Sequence, residues 1–156
     1  MLNKILILVS SIVFILIFSI NFNLNIKAFD VVGTFLSITT GFTITALSII
    51  ATSPFSKNLY EQESKKNNSK TLLHELVDKF KISMKLFIVT ICFITFLNLF
   101  ADDYLSKSII IFENKITTIE VLKSTILYLT ILSLVSFIDL FNAFSKFVIK
   151  SGKSIK

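Results

Sequence analysis

The 156-residue chain reads as an all-α membrane protein with four transmembrane helices and both termini in the cytoplasm. Three observations carry this reading. Hydrophobic residues make up 53% of the chain at a mean hydropathy of +0.79, and charged residues only 17%, where an ordinary soluble domain carries about 25%. Four segments, about 5–24, 31–53, 82–101 and 124–145, have the length of a membrane helix, about 20 mostly apolar residues at ~1.5 Å rise each. The lysines, finally, are unevenly shared between the two ends of these segments, which orients them.

The first span follows Lys4 and fades through Asn21, Asn23 and Asn25. Its apolar run is at the long end for a secretory signal, and Ile26-Lys27-Ala28 is a poor small-residue cleavage site, so it is read as a retained helix. The second span ends at Ser53-Pro54, a stop and restart with serine as cap and proline as first helical residue. A short interfacial helix from Phe55 to about Glu63 and a polar loop over 63–69 follow. Beyond them Leu72, Leu73, Leu76, Val77 and Phe80 recur at helical spacing, with His74, Glu75, Asp78, Lys79 and Lys81 on the other face. This helix is expected to run unbroken into the third span, making the connector 54–81 a cytoplasmic helical extension. In the outer segment 102–123, two β-branched runs, 108–112 and 115–119, flank Glu113-Asn114 and suggest a small hairpin without the Asn-Gly turn signal. The fourth span completes a single membrane domain of four-helix-bundle type.

Lys4, seven lysines between 54 and 85, and Lys146, Lys150, Lys153 and Lys156 share one side. Lys27, Lys107, Lys115 and Lys123 share the other, diluted by Asp30, Asp102, Asp103, Glu113 and Glu120. Positive charge is retained in the cytoplasm, hence the N-in, C-in orientation. All sixteen basic residues are lysine and seventeen residues are phenylalanine, with no arginine or tryptophan, a bias typical of AT-rich bacterial coding. The expected location is the bacterial inner membrane.

Composition excludes several function classes. The net charge of +6 sits in lysines beside apolar segments and not on a folded basic domain, so no direct nucleic-acid partner is expected. Cys92 is the one cysteine, which excludes internal disulfides and Cys-based zinc sites. His74 is solitary and is read as solvated; Asn98, Asp102 and Asp103 are read as capping and interface solvation, with a weak cation site as the alternative. There is no Gly-rich phosphate loop, no serine elbow and no carboxylate pair in a soluble cleft. No catalytic residue, metal or cofactor is expected, and no enzymatic activity.

Three groups of residues stand out. Gly33, Ser37, Gly41 and Thr45, four residues apart, form a small-residue ladder on the second span, the kind of face that lets membrane helices approach closely. Thr40, Thr43 and Ser48 add hydroxyls nearby. The ladder serves either internal packing against the first or fourth span or a subunit interface or polar path; the first span, with only Ser10, Ser11 and Ser19, offers few hydrogen-bond partners. Asp139 is the ionisable residue set well inside a span, sharing its face with Ser136 and Asn142. A charge near mid-membrane costs about 2.5–3.5 kcal/mol, so Asp139 is either functional or shallow enough to reach the interface, where it pairs with Lys146 or sits neutral against a serine. Lastly, Leu72, Leu76 and Phe80 with Lys79, Lys81 and Lys85 offer a surface to a soluble cytoplasmic protein or to lipid headgroups, which attract lysines by about 1 kcal/mol each.

The run Gly41-Phe-Thr-Ile-Thr-Ala-Leu-Ser-Ile-Ile50, followed by a proline and a charged amphipathic segment, resembles small bacterial four-helix membrane proteins of anti-phage defence operons, of which the Kiwa membrane component is one type. The resemblance spans the whole layout but about ten residues of motif, and the all-lysine surface and threonine-rich second span leave the subgroup open. It implies a homo-oligomeric membrane sensor or effector that acts with a soluble cytoplasmic partner, by sensing the envelope or by perturbing membrane integrity or ion permeability. The alternatives are a structural or scaffold subunit of a transporter or membrane complex, and a holin or immunity-type membrane protein.

Overall fold

Long apolar runs interrupted only at asparagine, Ser-Pro and polar clusters dictate long helices with short joints. The computed structural model describes residues 2–21, 24–62, 71–100, 108–111 and 114–153. The elements are α1 (Leu2–Asn21), α2 (Ile26–Thr52), α3 (Phe55–Glu61), α4 (Leu72–Phe100), the strands β1 (Ser108–Ile111) and β2 (Asn114–Thr117), and α5 (Thr118–Lys153). Among the described residues, α2, α4 and Thr118–Ser151 of α5 are long and apolar enough to cross a membrane, and α1 holds the shorter apolar run Ser10–Ile20. The polar loop 63–69, Asp102 and Asp103 of the suggested cation site, and the turn residue Glu113 lie outside the described residues.

Local capping sets the boundaries. Helix α2 starts at Ile26, five residues ahead of the apolar run, because Asn25 caps it: its Oδ1 accepts the Lys27 N–H at 3.0 Å and its carbonyl the Ala28 N–H at 3.2 Å. At Ser53-Pro54 the chain breaks as expected, with Pro54 at φ −56° just ahead of α3. The cap bond comes from one residue earlier, where Ser53 Oγ accepts the Phe55 N–H at 3.3 Å. Helix α4 runs unbroken for 29 residues from Leu72. A bond of 2.9 Å from the Leu72 N–H to the Gln62 carbonyl joins its start to the end of α3.

Strands β1 and β2 pair antiparallel, Ser108 opposite Thr117 and Ile111 opposite Asn114. The expected second run was 115–119, but Thr118 and Ile119 belong to α5. The reason is a capping box: Glu120 Oε2 accepts the Thr117 N–H at 2.8 Å while Thr117 Oγ1 accepts the Glu120 N–H at 3.4 Å.

Packing divides the chain into two units. The first combines Met1–Phe35 with Val89–Leu132. Its apolar cluster is Phe29, Ile94, Leu97 and Ile126, bordered by Leu24, Val32 and Leu122. Here α1 meets α5 through hydroxyls: Ser124 Oγ donates to the Glu120 carbonyl at 2.9 Å and lies 3.1 Å from Ser19 Oγ, whose single O–H has Ser124 Oγ and, at 2.7 Å, the Ile15 carbonyl as acceptors. Asn98 Nδ2 of α4 donates to Asp30 Oδ1 of α2 at 2.7 Å.

The second unit combines Leu36–Ile88 with Ser133–Lys156. Its cluster is Ala46, Ile50, Phe80, Leu140 and Phe147, with Phe42, Phe55, Leu59, Leu73, Leu76 and Phe144 packed against it. Phe42 meets Phe137, Phe141 and Phe144 at ring-centroid distances of 5.8–6.3 Å, within the range of favourable aromatic pairs. The buried positions of α2 in this unit are Leu36, Thr39, Thr43, Ala46 and Ile50, a strict alternation of three and four that is the seam period of helices packed knobs into holes.

The faces turned away from these clusters are apolar. Only 28% of the most apolar window of each of the three spanning-length helices is buried, and Val31, Ile38, Ile82 and Leu99 are exposed by 66–71%. Contiguous apolar surface of this extent suits lipid as the solvent.

Candidate functional site

Six polar residues of the second unit converge on a groove between α4 and α5. On α5, Ser136, Asp139, Asn142 and Lys146 follow one another at intervals of three, three and four, which keeps them on one face. On α4, Lys79 and Ser83 are one turn apart. Together with Ile82, Leu140 and Ala143 these residues line a groove of about 480 Å³. Ser83 and Ser136 tie the two helices at an Oγ–Oγ distance of 2.7 Å. Lys79, Asp139, Asn142 and Lys146 are exposed, Ser136 is half-buried and Ser83 buried.

Asp139 therefore lines an open polar groove that two lysines also line, one from each helix. Such surroundings are where membrane carboxylates are tolerated, facing water or opposite charge and not acyl chains. The sequence placed Asp139, Ser136 and Asn142 on one face; the contribution of α4 was not anticipated. Ser83 was the available signal, a serine one turn beyond Lys79 and set between Ile82 and Met84.

A second, shallower groove of about 200 Å³ adjoins this one. It is lined by Phe55, Leu59, Leu72, Glu75, Leu76, Phe147 and Lys150, and again by Lys79, Ala143 and Lys146. Its existence corrects the expectation for the cytoplasmic surface. Phe80, expected to face a partner or lipid, is fully buried, because α3 and α5 cover the apolar face of α4 with Phe55, Leu59 and Phe147. Leu72 and Leu76 are half-buried; Lys79, Lys81 and Lys85 are exposed. His74 is exposed, its Nδ1 2.7 Å from Thr71 Oγ1 and its ring 5.7 Å from that of Tyr60.

The small-residue ladder splits. Gly33 is half-buried in the first unit, where a β-carbon would lie 3.7 Å from Ile94 Cγ2. Ser37, Gly41 and Thr45 are exposed, and among the described residues nothing lies within 4 Å of a β-carbon at Gly41. Thr43 is buried and Ser48 exposed. The hydroxyls do not need the first span as partner. Thr40, Thr43, Thr45 and Ser48 each donate to the carbonyl four residues back, at 2.7–3.0 Å. Among the described residues no three of His, Cys, Asp and Glu come together in a metal-binding group. No family model, curated protein or solved structure matches the chain.

Proposed function

We propose that the chain is a non-enzymatic bacterial inner-membrane protein that crosses the bilayer four times, α1 included, with both termini in the cytoplasm. In this reading it is a homo-oligomeric sensor or effector of anti-phage defence that works with a soluble cytoplasmic protein. The supporting observation is the exposure of Ser37, Gly41, Thr45 and Ser48 on a helix of spanning length. Exposed glycine and hydroxyl residues on a membrane helix permit close approach of a second helix, and a second copy of α2 presents the same face. The lysine asymmetry supports the orientation, and the motif from Gly41 to Ile50 supports the defence role.

Single cysteines at Ser37 or Thr45 in a Cys92→Ser background test the assembly. Disulfide-linked dimers in membranes, with none at the buried Thr43, are the expected result. Ion leakage from liposomes loaded with the protein, and growth arrest on expression, test the effector role; absence of both would sink it. The polar groove holding Asp139 favours a second reading, a scaffold subunit of a transporter, for which other multi-pass membrane proteins would co-purify stoichiometrically.

A further inference from the structure

Lys79 and Lys146 are the charged side chains common to both grooves of the second unit. Each belongs to the polar groove with Asp139 and Asn142 and to the shallower one with Phe55 and Phe147. Two lysines from different helices, shared by a polar and a largely apolar hollow, form a pattern that acidic lipid headgroups occupy. We propose that the α4/α5 groove binds one anionic glycerophospholipid, with Lys79 and Lys146 on its phosphodiester. The proposal rests on the reading that α4 and α5 cross the membrane, but not on self-association or a defence role.

The chemistry of the lining narrows the ligand. Two ammonium groups against one carboxylate leave a net charge of +1 around the polar groove, which matches a phosphodiester monoanion. A phosphomonoester dianion would be held less well, because Asp139 repels its second charge. Asn142, one turn from Lys146 on α5, has side-chain N–H groups that donate to phosphate oxygens. In the Ser83–Ser136 pair one hydroxyl accepts from the other and keeps its own O–H as a donor. A choline headgroup has no hydrogen to donate and brings a positive charge among the lysines. Phosphatidylglycerol brings the monoanion without the added cation of phosphatidylcholine.

Acyl chains have apolar surface beside the headgroup. Ile82, part of the groove, is exposed by 66%, and Val135, Ile138 and Phe141 on the neighbouring turns of α5 are exposed by 49–58%.

The test uses the full chain in detergent, offered phosphatidylglycerol and phosphatidylcholine as competitors, with lipids that stay bound counted by native mass spectrometry. One phosphatidylglycerol per chain is expected to be retained. Removing both ammonium groups, Lys79→Gln with Lys146→Gln, is expected to weaken its retention about thirty-fold, from roughly five-fold per lysine. The pair Lys81→Gln with Lys85→Gln, equally exposed but outside the groove lining, should change it less than about three-fold. Circular dichroism verifies that both variants keep their helices, and the single variant Lys146→Gln gives an intermediate loss if the double variant does not fold. Equal losses in the two double variants would overturn the site in favour of general attraction to the bilayer. Displacement of the lipid by free glycerol phosphate at equal concentration would overturn the choice of a lipid, as would displacement by an acidic peptide. Intact cysteine cross-linking at Ser37 in the lysine variants would show that self-association is a separate property.

Discussion

Two faces of α2 look alike in sequence and behave differently in the folded chain. Leu36, Thr39, Thr43, Ala46 and Ile50 are buried, whereas Ser37, Gly41 and Thr45 are exposed, although both sets include small and hydroxyl residues. What separates them is period. Intervals of three and four average 3.5 residues and stay against a neighbouring helix, while strict intervals of four drift steadily around a helix of 3.6 residues per turn. A β-carbon at Gly33, at the start of the ladder, therefore still meets Ile94, and one at Gly41 two steps later meets nothing within 4 Å among the described residues.

The largest expected effect breaks this comparison at adjacent residues. Ile50 is fully buried and Ile49 is 48% exposed. Ile50→Ala should lower the unfolding free energy by about 2–5 kcal/mol and Ile49→Ala by less than about 0.5 kcal/mol, read from SDS titration of the protein in micelles by circular dichroism. Comparable losses at both would show that the two faces are equally packed.

Next come the two glycines. Gly33→Leu forces a branched side chain against Ile94 and is expected to destabilise by about 1–3 kcal/mol in the same titration. Gly41 is exposed and its β-carbon would meet no described residue within 4 Å, so Gly41→Leu should leave stability unchanged and instead reduce cross-linking through Ser37 and Thr45. Destabilisation by Gly41→Leu of the isolated protomer would contradict its exposure.

The smallest effects separate hydroxyls that bridge helices from those that fold back on their own. A double-mutant cycle of Ser83→Ala and Ser136→Ala should return a coupling of about 0.6 kcal/mol, the mean for hydrogen bonds between membrane helices. Thr45→Val, which removes only a bond to the Gly41 carbonyl, should fall within about 0.5 kcal/mol of the parent.

Much of the fold was legible because hydropathy over twenty residues and breaks such as Ser53-Pro54 are local signals. The strip of Ser136, Asp139 and Asn142 was legible for the same reason, being a property of one helix. Long-range pairings were not. Nothing in the spacing of Asp30 and Asn98, or of Ser19 and Ser124, announces that they meet. The burial of Phe80 was missed because amphipathic patterning shows that a face is apolar without showing what covers it, and here the cover is the chain's own α3 and α5. The capping box at Thr117 and Glu120 was there to be read, hidden by the β-branched residues around it.

The bond from Leu72 N–H to the Gln62 carbonyl has a practical side. It pins the exit of one helix to the entrance of the next, so the intervening stretch can be lengthened while both ends stay in register. Lengthening a closed loop is inexpensive, about 0.6 kcal/mol for each doubling. A short epitope inserted after Ser64 should therefore leave the helices in place, and antibody binding to it in sealed vesicles of known orientation would turn the count of lysines into a direct measurement of sidedness.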